Sequence, residues 1–108
     1  MNLLFVCSMN KWRSPTAEAI FKNHPVYHAK SAGVSESARI RLSEKLITWA
    51  DQIFVMEKEH KRRIMDRYSA SLHDKPIIVL DIADDYQFMD PELIEMIKLS
   101  VRPWLEQL

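Results

Sequence analysis

Apolar and polar residues follow one another along the chain in two patterns: short unbroken apolar runs, and longer stretches whose apolar positions recur every three or four residues. Leu3-Leu4-Phe5-Val6 and Ile77-Ile78-Val79-Leu80 are runs of the first kind, rich in β-formers and suited to strands covered on both faces. Val26-Tyr27-His28-Ala29-Lys30 and residues 52–56 read as two more strands, the former closed by Gly33 in a turn where a positive φ is expected. Ala17, Ile20 and Phe21 form a helical stripe behind Pro15, with Glu18 and Lys22 left for solvent. It stops by His24-Pro25, because the residue before a proline disfavours α conformation. Ala38, Leu42, Leu46, Ile47 and Trp49-Ala50 predict a second helix over residues 37–50, with Trp49 in the core.

Residues 57–68 predict a charged helix with Ile64, Met65 and Tyr68 as its apolar side. Its basic face, Lys58, Lys61, Arg62, Arg63 and Arg67, reads as a solvated surface laced by Glu57, Glu59 and Asp66. Pro91 opens a last helix with Leu93, Ile94, Ile97, Val101, Trp104, Leu105 and Leu108 turned inward and a bend near Pro103. Four strands alternating with helices imply an α/β fold: a small doubly wound four-stranded parallel sheet with helices on both faces, in a chain whose 108 residues make one domain.

Ligands of such sheets bind beyond the carboxyl ends of the strands. There the first strand runs into Cys7-Ser8-Met9-Asn10-Lys11-Trp12-Arg13-Ser14, a tight polar loop leading to the Pro15 helix. Strand, loop and helix N-terminus in this order aim backbone N–H groups at an anion. A lone cysteine at the end of an interior strand is ordinarily an inert small hydrophobe. Here the helix N-terminus and the Arg13 guanidinium both favour the thiolate, the nucleophilic form. Arg13 presents a planar fork that matches two phosphoryl oxygens. Ser14 is placed to cap the helix, with Pro15 at the first helical position. Residues Ser8 to Ser14 are therefore candidate oxyanion ligands and Cys7 a candidate nucleophile. A second acidic loop, Asp81 to Asp90, leaves the fourth strand at the same sheet edge. Any one of Asp81, Asp84 and Asp85 can deliver a proton to a leaving oxygen there.

Leu4-Phe5-Val6-Cys7 and Arg13-Ser14-Pro15-Thr16-Ala17-Glu18 resemble the opening of the low-molecular-weight protein tyrosine phosphatase family, with Asn10 where that family has a loop-shaping Asn. Ser31-Ala32-Gly33, Ala50-Asp51-Gln52-Ile53-Phe54-Val55-Met56 and Ile82-Ala83-Asp84-Asp85-Tyr86 are similar to its S-A-G, A-D-x-I-x-V-M and D-P-Y segments, so the likeness runs along nearly the whole chain. Met9 stands where a Gly is usual, Trp12 where a second Cys is frequent and Asp85 where the Pro of D-P-Y falls. The segment after Gly33 is shorter than in the family. The resemblance implies strand order 2-1-3-4, a cysteinyl-phosphate intermediate on Cys7, phosphate held by Arg13 and the loop, Ser14 supporting the thiolate, and Asp84 as the acid.

Composition narrows the partners. Fifteen basic and fifteen acidic residues cancel, so no overall field draws the chain to nucleic acid or anionic lipid. No apolar stretch approaches the roughly 18 residues of a membrane span, and no charged leader precedes the first strand, which predicts a cytoplasmic protein. Cys7 is the only cysteine, and His24, His28, His60 and His73 show no ligand-like spacing with it, so neither a metal nor another cofactor is expected. The expected partners are a phosphorylated protein or small molecule, and inorganic phosphate or a similar oxyanion in the loop. Two alternatives remain open at this stage. One is a catalytically silent module that holds a phospho-ligand. The other is a thiol-dependent arsenate reductase, which with one cysteine would need an external thiol.

Overall fold

The computed structural model describes residues 1–106, so the expected role of Leu108 in the last helix lies outside the described residues. Four parallel strands, β1 (Asn2–Cys7), β2 (His28–Gly33), β3 (Gln52–Val55) and β4 (Ile77–Val79), pair in the order β2-β1-β3-β4. The expected α/β sheet and its order are therefore observed. Between and after the strands come α1 (Arg13–Ile20), α2 (Glu44–Trp49), α3 (Lys58–Leu72) and α4 (Pro91–Val101), followed by a 3-10 turn at Arg102–Trp104.

Alternation of side chains along β1 decides which residues face which layer. Leu3, Phe5 and Cys7 join α1 and α4 through Ala17, Phe21, Leu93, Ile97 and Val101. Leu4 and Val6 face α2 and α3 through Ile47, Ile64 and Leu72. Phe5 stacks between Phe21 and Phe54 at centroid distances of 5.7 and 5.2 Å. The central strand is thus buried from Leu3 to Cys7.

Several expectations are corrected. The second strand is His28–Gly33, displaced from the predicted 26–30. Gly33 does not have the positive φ expected of a turn; no glycine in the described chain does. Instead Gly33 is the β2 partner of Cys7, and a Cβ there would lie 2.6 Å from the Ser8 carbonyl oxygen and 2.9 Å from the Asn10 nitrogen. The glycine is needed for close approach of backbone to backbone. The second helix occupies only Glu44–Trp49, capped by Ser43, because the residues before it spend their backbone hydrogen bonds on the loop after β1. Trp49 is half-buried, with the Lys30 ammonium 4.6 Å from its ring centroid. Met65 and Trp104 are exposed, not core. Ser14 is not a cap: α1 starts at Arg13 with Trp12 before it and no side-chain cap bond, leaving the Ser14 hydroxyl for another partner.

Gly33→Ala should force the β1 loop and the 33–42 segment apart. A destabilisation of about 1–3 kcal/mol, the usual cost of overpacking, is expected in urea denaturation, whereas the same exchange at an open surface position would cost far less.

Candidate active site

Tight connections between the loop after β1 and the segment after β2 shape the site. Val34 N–H donates to the Cys7 carbonyl, Ser35 N–H to Ser8, Arg39 N–H to Met9 and Arg39 Nε to Asn10, at 3.0, 3.0, 3.0 and 3.1 Å. In a trans peptide the C=O of one residue and the N–H of the next point in opposite directions. Tethering four successive carbonyls to the outside therefore turns the N–H groups of Ser8, Met9, Asn10 and Lys11 to the other side. Asn10 makes the required bend with φ 54°, a left-handed conformation that Asn tolerates.

Inside that bend the side chains converge. Cys7 Sγ lies 3.0 Å from Ser14 Oγ. Asn10 Nδ2 donates to the same oxygen at 2.8 Å, and the Ser14 hydroxyl is also 3.3 Å from the Ala32 carbonyl. With the Asn10 proton on one side of the oxygen, the single hydroxyl proton has two acceptors in reach, the Ala32 carbonyl and the sulfur. When the sulfur is a thiolate, Ser14 must be the donor. Arg13 is 1% exposed. Its Nη1 donates to Glu57 Oε2 at 2.5 Å and to the Ile82 carbonyl at 2.8 Å. These bonds fix the guanidinium plane by one corner. Its Nε has no hydrogen-bond partner among the described residues, although Asp84 Oδ1 stands 3.5 Å away. The edge that includes Nε is thus the one available to an oxyanion.

A pocket of about 50 Å³ over Cys7 is lined by Met9, Lys11, Trp12, Arg13 and Asp84 as well as the cysteine. Lys11 Nζ lies 4.8 Å from the Trp12 ring centroid, so the two rim side chains hold one another. Of the three candidate acids, Asp84 lines the pocket and Asp81 and Asp85 do not. Its position follows from Ile82, whose N–H donates to the Met56 carbonyl and whose own carbonyl accepts from Arg13, so the acidic loop is pinned two residues before Asp84. Asp81 sits at φ 57° at the exposed end of the strand.

Two site residues were missed by reading the sequence. Glu57 and His60, expected on a solvated helix, form the first turn of α3, where the Glu57 side chain accepts from His60 N–H and the Glu57 N–H donates to His60 Nδ1 at 3.1 Å. That leaves the proton on Nε2, which donates to Ser8 Oγ at 2.9 Å. The E-x-x-H spacing of a reciprocal helix cap was the signal available. Burial, and then the Arg13 charge, lower the His60 pKa from 6.5 to about 4. Among the described residues no group of three His, Cys, Asp or Glu side chains could hold a metal ion, and no helix is long and apolar enough to cross a membrane.

No protein-family model and no curated protein matches the sequence. Solved structures do match the fold. YwlE arginine phosphatase from Geobacillus stearothermophilus superposes with a TM-score of 0.73 at 26% identity over 94% of this chain and 92% of its own. The fold of the present chain is that of the low-molecular-weight protein tyrosine phosphatases. The member from Streptococcus pyogenes gives a TM-score of 0.74 at 16% identity over 99% of this chain and 92% of that one. The tyrosine phosphatase Wzb from Escherichia coli K30, solved with phosphate, gives 0.74 at 20% over 95% and 94%. The contacts of Cys7, Arg13 and Ser14 described above thus lie in a chain with the low-molecular-weight phosphatase fold.

Because the unfolded chain takes up a proton on His60 below about pH 6.5 that the folded site excludes until about pH 4, stability should fall with falling pH across that window. The difference in urea midpoint between about pH 7 and about pH 5 should shrink in His60→Gln, which removes this linkage.

Proposed function

We propose that the chain is a phosphatase that hydrolyses a phosphate monoester, a phosphotyrosine protein among the candidates, through a cysteinyl-phosphate intermediate. The observation that supports it most directly is the convergence of Cys7, Arg13 and Asp84 on one small pocket, with Ser14 Oγ 3.0 Å from the sulfur. The Cys7 thiolate attacks phosphorus and forms the S–P bond as the bond to the leaving oxygen breaks. Asp84 gives its proton to that oxygen. Arg13 and the N–H groups of Ser8 to Arg13 stabilise the equatorial oxygens, and Ser14 stabilises the sulfur when it leaves. Water, losing its proton to Asp84, then attacks phosphorus, releasing phosphate and the thiolate.

Met9, Lys11 and Trp12 at the rim would meet the leaving group. Neighbours described as arginine and as tyrosine phosphatases share this fold, so phosphotyrosine, an ester as proposed, is to be compared with phosphoarginine, a phosphoramidate whose leaving atom is nitrogen. Arsenate reduction finds less support, since Cys7 is the only thiol in the sequence.

Release of phosphate from p-nitrophenyl phosphate tests the reading, and no release from the wild type would leave a silent binding module. Cys7→Ser should abolish turnover while leaving vanadate binding measurable. Arg13→Lys should lower kcat/KM by roughly 10²–10³, as for loss of a preorganised oxyanion donor. Wild-type rates in either variant would remove that residue from the reaction.

Asp84→Asn should cost about 10²–10⁴ with phenyl phosphate, whose leaving group needs the proton, and much less with p-nitrophenyl phosphate. If Asp81→Asn or Asp85→Asn shows this leaving-group dependence instead, the acid is assigned to the wrong side chain.

A further inference from the structure

The basic face of α3 is not uniformly solvated. Four of the arginines on and opposite it, Arg41, Arg62, Arg63 and Arg67, line a pocket of about 290 Å³ between the 33–42 segment and α3. Arg62 is neutralised by Glu59 and Asp66, at 2.5 and 3.3 Å. The other three have no carboxylate within ion-pairing distance among the described residues. Arg63 Nη2 is oriented by the Val34 carbonyl at 3.3 Å, and the Arg67 guanidinium lies 5.7 Å from the Tyr68 ring centroid.

The shape of this pocket is fixed, not incidental. Tyr68 departs from helical geometry, at φ −122° and ψ 19° inside α3, and its hydroxyl donates to the Leu42 carbonyl at 3.0 Å. That bond spans the pocket from helix to segment. Glu36 and Asp66 also line the pocket, but the four guanidiniums outnumber them, and an excess of positive charge around a concave, partly apolar wall raises the local potential for an anion. Planar guanidinium forks select an anion with several oxygens. Nucleic acid fits poorly, because Tyr68 already carries Arg67 and the chain as a whole has no net charge.

We infer that this pocket is a second anion site that takes a phosphate group and is separate from the loop at Cys7. Its walls reach that loop on both sides. Val34 and Ser35 donate to the Cys7 and Ser8 carbonyls, and the first turn of α3 carries Glu57 and His60 onto Arg13 and Ser8. A phosphate bound here would therefore touch the two elements that hold the catalytic loop in shape. It comes either from a free small molecule or from a second phosphoryl group on the substrate.

Titration of the full chain with inorganic pyrophosphate, followed by amide resonances, tests the site. Val34, Arg41, Leu42 and Tyr68 should shift with a midpoint of their own, distinct from that of Ser8 to Ser14. In Arg41→Gln/Arg67→Gln, both exposed positions, this midpoint should rise at least about tenfold, as expected for lost charge-assisted contacts. The midpoint at Ser8 to Ser14 should stay in place, as should the KM for p-nitrophenyl phosphate. Shifts confined to Ser8 to Ser14, or a double variant that binds as the wild type, would overturn the inference. The resonances report binding whether or not the protein turns over. Given such binding, a doubly phosphorylated peptide with a lower KM than its singly phosphorylated form, in the wild type only, assigns the group to the substrate. Equal KM values assign it to a free ligand.

Discussion

The tether between residues 34–39 and the carbonyl oxygens of Cys7 to Asn10 is the constraint on which the site depends. A polar loop at the end of a strand has no intrinsic reason to turn four successive N–H groups the same way. It does so here because the opposite ends of those peptide units are already bonded. Gly33 makes the tether possible by letting β2 run against the loop with no Cβ between them. The region that in the sequence looks like the start of a helix is thus used as a clamp, and the helix is deferred to Glu44.

Electrostatics complete what the tether begins. A guanidinium as buried as that of Arg13 is costly unless charges and hydrogen bonds surround it. Glu57 and the Ile82 carbonyl hold one nitrogen, and Asp84 stands near another. The same positive charge adds to burial in keeping His60 neutral, so that its Nε2 proton is committed to Ser8. Loop, α3 and acidic loop are therefore coupled through a few contacts to Arg13 and Ser8. A change at any one of them is felt at the sulfur through the orientation of its neighbours, without any change in the cysteine itself.

What the sequence determined by itself is what local pattern and spacing carry. The two apolar runs, the alternation of strands with helical stripes, and the C-x5-R-S loop ahead of Pro15 were enough to predict the parallel sheet and to bring Cys7, Arg13 and Ser14 to one place. Hydrophobic periodicity reports burial against a neighbouring layer, and a loop between strand and helix has few ways to run. Only the tertiary structure decided the rest. The E-x-x-H spacing of Glu57 and His60 marks a helix cap but says nothing of Arg13 or Ser8, and the pair matters because parallel pairing of β1 with β3 brings the start of α3 beside Ser8. Asp84 lines the pocket over Cys7, and Asp81 and Asp85 do not, in a loop pinned at Ile82, and Gly33 was explained by a close approach across β1 and β2, not by its own φ. These are contacts between residues distant in the chain, and one-dimensional spacing holds no record of them.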